Sequence, residues 1–194
     1  MNPLDGWLEA HAPHLLACFG EPVTAKSLEE TVTLLGRDLP TAYVDFLREH
    51  DGQRFVTGDI PGAGTLAPIF GAFEILPVSY ARGEWRSMRE WGEGMGGIEA
   101  VGPVRAVYAH EAWWPFTVIY GSSHHHCIDL DPAPGGDVGQ VIVVSMKDDR
   151  RTVIAPSLDA FLERLAGVLD DSVIEIGAHG IELLDDALDW LMGA

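Results

Sequence analysis

Residues 113–145 read WWPFTVIYGSSHHHCIDLDPAPGGDVGQVIVVS, and the fold class turns on this stretch. Phe116–Tyr120, His125–Leu130 and Gln140–Ser145 are short runs with the length and residue types of strands. Between the last two, Asp131-Pro132-Ala133-Pro134-Gly135-Gly136 gathers the residues that make a turn. The glycines of Gly135–Gln140 lead into a strand, so they lack the helix N-terminus that makes a phosphate cradle.

Outward from this block, Val104–Tyr108, Arg151–Ile154 and a short Phe73–Leu76 read as further strands. Gly58, Pro61, Gly62, Gly64 and Pro68 make Phe55–Pro68 a loop with little regular structure. Helical spacing governs both ends. Leu4, Trp7, Leu8 and His11 share a face, Leu15 and Phe19 continue it, and Pro13 breaks or restarts the helix. Thr24 or Ser27 caps a helix bearing Leu28, Val32 and Leu35, which Gly36 closes. Leu39-Pro40 opens another with Tyr43, Phe46, Leu47 and His50 at i, i+3, i+4, i+7, ended by Gly52; the two are expected to form an antiparallel pair. Pro77 starts a helix through Tyr80, Trp85, Met88 and Trp91, which dissolves in Gly92, Gly94, Gly96 and Gly97. Ser157 caps a helix carrying Leu158, Phe161, Leu162, Leu165 and Leu169, and a last helix spans Ile181 to Met192. Helices at both ends with consecutive strands between them indicate α+β with a mainly antiparallel sheet.

The chain has 194 residues, the size of one domain, and its 47% hydrophobic content with six Trp and seven Phe excludes a disordered chain. Area scaling lets about 70% of the unfolded surface be buried, so no metal, cofactor or disulfide is needed to hold the core, and a folded monomer or weak dimer is expected. No apolar run approaches the roughly 20 residues of a membrane helix, the N-terminus lacks a secretory pattern, and two cysteines, Cys18 and Cys127, suit a reducing cytoplasm. The formal charge is −18. That charge disfavours direct binding to nucleic acid, because phosphate contacts need cationic side chains. An acidic surface attracts cationic partners, although solubility alone also explains acidity. Residues 157–194 hold nine acids against one base, Arg164, so the tail is the acidic end.

Three blocks carry a resemblance: LGRDLPTAYVDFLREHDGQ (35–53), residues 113–145, and VIAPSLDAFLERL (153–165). Their order of leucine-proline helix, Asp-Gly end, Trp then Pro, Asp-Leu-Asp-Pro, Gly-Gln and a Ser-headed helix resembles the SMI1/KNR4 (SUKH) family over Leu28–Leu169. The resemblance implies one domain over 1–194: a helical extension at 1–23, a core at 24–169, and an acidic helical extension at 170–194. It also implies a non-enzymatic domain, known in fungi from regulators of cell-wall assembly and in bacteria from immunity proteins that neutralise toxins, often nucleases. Lacking long low-complexity flanks, the chain resembles the bacterial branch. The expectation is an immunity protein that occludes a cationic toxin, with an intracellular regulatory or scaffold module as the alternative and a hydrolase using Asp129, Asp131 and His126 as a remote one.

Several side chains compete for functional and structural roles. On a strand, Trp113 and Trp114 point to opposite faces: one enters the core, and the other either packs as well or anchors a partner. Of His124-His125-His126, only His124 and His126 share a face. Two imidazoles without a third fixed ligand are expected to be a solvated hairpin, with no metal. Asp129 and Asp131 would share a strand face, as an acid–base pair, a turn cap at Pro132 made by Asp131, or contacts to cationic groups of a partner. Asp170, Asp171, Asp185, Asp186 and Asp189 are expected on exposed helix faces, where they steer a partner and contribute little to stability.

Overall fold

The computed structural model describes residues 2–57, 64–71, 73–91, 97–119, 124–177 and 180–193. In chain order the elements are α1 (Pro3–His11), a 3₁₀ turn (Pro13–Cys18), α2 (Ala25–Leu35), α3 (Thr41–Glu49), β1 (Phe55–Thr57), β2 (Gly64–Leu66), β3 (Phe73–Ile75), α4 (Val78–Trp91) and β4 (Glu99–Val101). There follow β5 (Trp113–Ile119), β6 (His124–Asp129), β7 (Gln140–Ser145), β8 (Arg150–Ala155), α5 (Leu158–Ser172), β9 (Val173–Gly177), β10 (Gly180–Leu183) and α6 (Asp185–Met192). Six strands form one sheet in the order β3-β5-β6-β7-β8-β4, antiparallel except for the β4–β8 pair. The fold is α+β with a mainly antiparallel sheet.

The central strands are covered on both sides, and strand alternation assigns the faces. Trp114, Phe116, Ile128 and Val141 join the main core, with side chains from α1, α3, α5 and α6. Trp113, Cys127, Ile142 and Val144 join a smaller cluster with Met88 of α4 and Val104. At the β5–β6 pairing a bulge leaves Phe116 as an extra residue between Pro115 and Thr117, and its carbonyl accepts from the Leu76 N–H at 2.8 Å.

The Asp51-Gly52-Gln53 turn after α3 fixes where the next elements lie. Asp51 accepts the Val78 N–H at 2.7 Å at the start of α4, and Gln53 donates to the Ala67 carbonyl while accepting from the Ile75 N–H. Gly52 has φ +61, and a Cβ there would sit 2.4 Å from the backbone of Leu76 and Pro77. Glycine is the residue this joint tolerates.

Four expectations are corrected. Val104–Tyr108 is not a strand: it follows Gly102 at φ +88 and Pro103, makes tight turns of its own, and leaves the sheet edge to β4. Phe55–Thr57 and Gly64–Leu66 pair as a two-stranded ribbon inside the predicted loop, of which Gly58, Pro61 and Gly62 lie outside the described residues. The last helix begins at Asp185, because Ile181 is drawn into extended pairing with the Ile69–Gly71 backbone and with β9. Finally, α2 and α3 find different main neighbours, α4 and α5 respectively. Arg82 of α4 explains the first, donating to the Ser27 carbonyl at 2.5 Å and to the Thr31 hydroxyl at 3.0 Å. Tyr120 and the glycines at 92, 94 and 96 lie outside the described residues.

Arg151 holds the irregular 102–112 segment. Its side chain is fully buried, donates to the carbonyls of Tyr108 (2.6 Å), Asp148 (3.0 Å) and Arg150 (2.7 Å), and lies 5.2 Å from the Tyr108 ring centre. Arg151→Leu keeps the bulk but leaves three carbonyls without a donor. The expected loss is about 2–4 kcal/mol of stability, read from the midpoint of urea unfolding. An unchanged midpoint would show that the clamp is dispensable.

Candidate functional site

Neither tryptophan is exposed. Trp113 and Trp114 each have 0% accessibility, because α4 and the 102–112 segment cover the face that Trp113 occupies. Trp114 donates its indole N–H to the Tyr43 hydroxyl at 3.0 Å, while the Trp113 indole nitrogen has no hydrogen-bond partner. Of the two readings of this pair, the one in which both indoles pack is the one observed, and the exposed partner anchor is not. Opposite faces were right, but both faces are interior.

The histidines are corrected likewise. His125 and His126 are buried, not solvated. His126 hydrogen-bonds the Thr117 hydroxyl through Nδ1 (2.6 Å) and the Leu191 carbonyl through Nε2 (2.7 Å), among Phe73, Phe116 and Phe161. Burial pushes its pKa down to about 4, so it is neutral at physiological pH. His125 points the other way, to Glu84 of α4 at 3.0 Å, and this bond lowers the Glu84 pKa. Among the described residues no group of three or more His, Cys, Asp or Glu is placed to hold a metal ion.

Asp129 and Asp131 do not form a pair on one strand face. β6 ends at Asp129, whose carboxylate is wholly inside. Its Oδ1 accepts the Asp131 N–H (3.1 Å) and its Oδ2 accepts the Gln140 amide (3.0 Å), which also donates to the Pro103 carbonyl. Burial raises the Asp129 pKa. Asp129, not Asp131, therefore makes the side-chain turn before Pro132. Asp131 lies in that turn, about one-third exposed, 2.9 Å from Arg105, 3.7 Å from Arg37 and 3.9 Å from His110. A hydrogen bond from Arg105 holds its pKa below the usual carboxylate range. His126 faces the main core while Asp129 follows Cys127 on the opposite face, so the three groups of the hydrolase alternative do not converge. Arg37, Arg105 and His110 were missed in the sequence because each comes from a separate segment. Gln140, the second member of Gly-Gln, and Arg37 stood in recognised blocks, but nothing in either block marked them as neighbours of Asp129 and Asp131.

The tail carboxylates divide. Asp171, Asp185, Asp186 and Asp189 are exposed. Asp170 is also exposed, yet it accepts the Trp7 indole N–H at 2.7 Å and ties α1 to the end of α5, which corrects its reading as a purely steering group. Charge is unevenly distributed between the two layers. Helices α1, α3, α5 and α6 carry eleven acids against two arginines, whereas α4 carries three arginines against two glutamates. Both arginines of the acidic layer are engaged: Arg48 donates to Asp45 at 2.9 Å, and Arg164 lies 4.5 Å over the Trp190 ring.

Two outcomes follow. Asp170→Ala should cost about 1–2 kcal/mol by removing a charged acceptor, and Asp171→Ala under about 0.5 kcal/mol, both read by thermal unfolding. For His126, the unfolded chain takes up a proton near pH 6.5 and the folded one only near 4. Stability is thus fully present above pH 6.5 and falls as pH drops toward 4, by up to about 3 kcal/mol. His126→Gln should flatten that slope between pH 7 and 4; an unchanged slope would show that His126 does not govern it.

The sequence profile of the SMI1/KNR4 family (SUKH-1) matches residues 22–164. The cell wall assembly regulator SMI1 of Saccharomyces cerevisiae is 23% identical over 98% of this chain and 42% of its own length. The glucan synthesis regulatory protein of Neurospora crassa is 27% identical over 84% of this chain and 36% of its own. A third, the cell wall biosynthesis/cell cycle regulator smi1 of Schizosaccharomyces pombe, is 38% identical over 34% of this chain and 13% of its own. The chain thus spans about two fifths, or less, of the length of these relatives. With its leucine-proline helix, its Asp-Leu-Asp-Pro and Gly-Gln turn and its Ser-capped α5 inside the matched range, the chain belongs to the SMI1/KNR4 family (SUKH-1).

Proposed function

We propose that the chain is a non-catalytic, cytoplasmic protein-binding module of regulatory type, whose 194 residues act as one unit and whose acidic helical layer attracts a cationic protein. The segregation of charge carries this reading: eleven acids in α1, α3, α5 and α6 lie over one side of the sheet. A one-sided field of this kind speeds encounter with a positively charged surface. The relatives, regulators of cell-wall assembly and glucan synthesis by name, support a regulatory role. The toxin-neutralising role expected from the sequence draws no support from them. The side chains with chemical potential also favour binding over catalysis, since His125, His126 and Asp129 are engaged in hydrogen bonds within the fold.

The test is affinity capture from the native cell with the full chain as bait, at low and high salt, followed by binding kinetics with the recovered protein. The expected partner is basic, and its association slows as ionic strength rises. Combining Asp171→Asn, Asp185→Asn, Asp186→Asn and Asp189→Asn should reduce the on-rate about tenfold at low salt, with the melting temperature nearly unchanged. Capture of a neutral or acidic protein, indifferent to salt, would overturn the reading.

A further inference from the structure

Helix α6 ends on the sheet, and side chains of the sheet finish it. The last carbonyls of a helix have no partner within it. At the end of α6 two carbonyls are taken by strands: His126 of β6 donates its Nε2–H to Leu191 at 2.7 Å, and Thr152 of β8 donates its hydroxyl to Gly193 at 3.3 Å. Ala187, Trp190 and Leu191 are the side chains that α6 buries, while Asp185, Asp186 and Asp189 face solvent. The fit is incomplete. The Trp190 indole nitrogen is buried without a hydrogen-bond partner, and a cavity of about 150 Å³ is lined by both the end of α6 (Met192, Gly193) and strand residues that include His124, Val143 and Ser145. With eight residues, α6 has little helical stability of its own, so these contacts hold it.

We infer that α6 is a proton-released latch: a proton taken up by His126 frees α6 from the sheet while the sheet stays folded. Because a carbonyl only accepts, the bond to Leu191 places the ring proton on Nε2, and Nδ1 accepts from the Thr117 hydroxyl at 2.6 Å. The same hydroxyl oxygen accepts the His126 backbone N–H at 3.2 Å. A second ring proton, on Nδ1, sets donor against donor at Thr117 unless the hydroxyl proton swings away. It also puts a cation among Phe73, Phe116 and Phe161. The elements packed on the ring present Phe73 (β3), Phe116 and Thr117 (β5), Phe161 (α5) and the Leu191 carbonyl (α6). The titratable groups that act on it are His124 and His125 of its own strand, and both disfavour a further positive charge. With α6 released, water replaces the Leu191 carbonyl and hydrates the imidazolium. The open form therefore binds the proton more tightly, and the opening constant rises as pH falls from 6.5 toward 4. Between pH 7 and pH 5 that rise is about twentyfold. No partner is needed for the release.

Amide hydrogen exchange on the full chain, with rates corrected for the intrinsic effect of pH, reads the opening. The amides of Leu188–Gly193 should be at least about tenfold less protected than those of Val141–Val144 in β7, at pH 7 and at pH 5, because β7 is released only when the sheet unfolds. Unfolding of the whole chain frees the same imidazole, so this gap, and not the pH slope, separates a latch from global unfolding. Protection in α6 should fall about twentyfold from pH 7 to pH 5 in the wild type. In His126→Gln, whose amide can keep both hydrogen bonds without taking a proton, it should fall less than about threefold. Equal protection of α6 and β7 would overturn the latch, since α6 would then leave only with the sheet. Protection in α6 that stays below that of β7 but does not change with pH would overturn release by the proton, as would an equal change in His126→Gln. The wild-type chain alone decides the first two of these outcomes, whether or not His126→Gln folds.

Discussion

Strand β6 has helices or irregular chain over both of its faces, and this constraint organises the rest of the molecule. A polar group enclosed on both sides has no water to turn to, so it must be hydrogen-bonded within the protein or remain costly. His126, His125 and Asp129 alternate along this strand, and each reaches a different neighbour: α6 through the Leu191 carbonyl, α4 through Glu84, and the turn into β7 through Gln140. Three polar residues that look reactive in a linear sequence thus serve as fasteners. The two unpartnered indole and imidazole nitrogens near them, on Trp113 and His125, lie on the face covered by α4.

The same arrangement assigns different roles to the parts of the chain inside and outside the family match. Residues 22–164 supply the six-stranded sheet, α2, α3, α4 and the first part of α5. The segments beyond, α1, the end of α5 and α6, cover the main core, with Leu4, Leu8, Leu169 and Leu191 buried there. They also bring most of the acidic groups to that side. A layer that closes the core with its apolar stripe can vary its outer charges with little effect on folding, since solvated carboxylates contribute little to stability. Asp170 is the exception, because its carboxylate receives the Trp7 indole.

Local physics made much of this legible from the sequence alone. Apolar spacing, Thr24, Gly36 and Ser157 placed α2 and α5, because a cap and a 3.6-residue period are local properties. The β-branched run of β7 and the Asp-Pro-Ala-Pro-Gly-Gly turn before it placed β6 and β7, and the ordered blocks gave the family. What failed was everything that depends on which surface faces which. Val104–Tyr108 has strand composition, but the sheet edge beside β8 went to Glu99–Val101. Ile181 has helical spacing, but it is held extended by the Ile69–Gly71 backbone more than a hundred residues away. Alternation put Trp113 and Trp114 on opposite faces correctly. Whether a face meets water or a helix is a fact about distant segments, and only the tertiary structure decides it, because burial is created by packing and not by the residue itself.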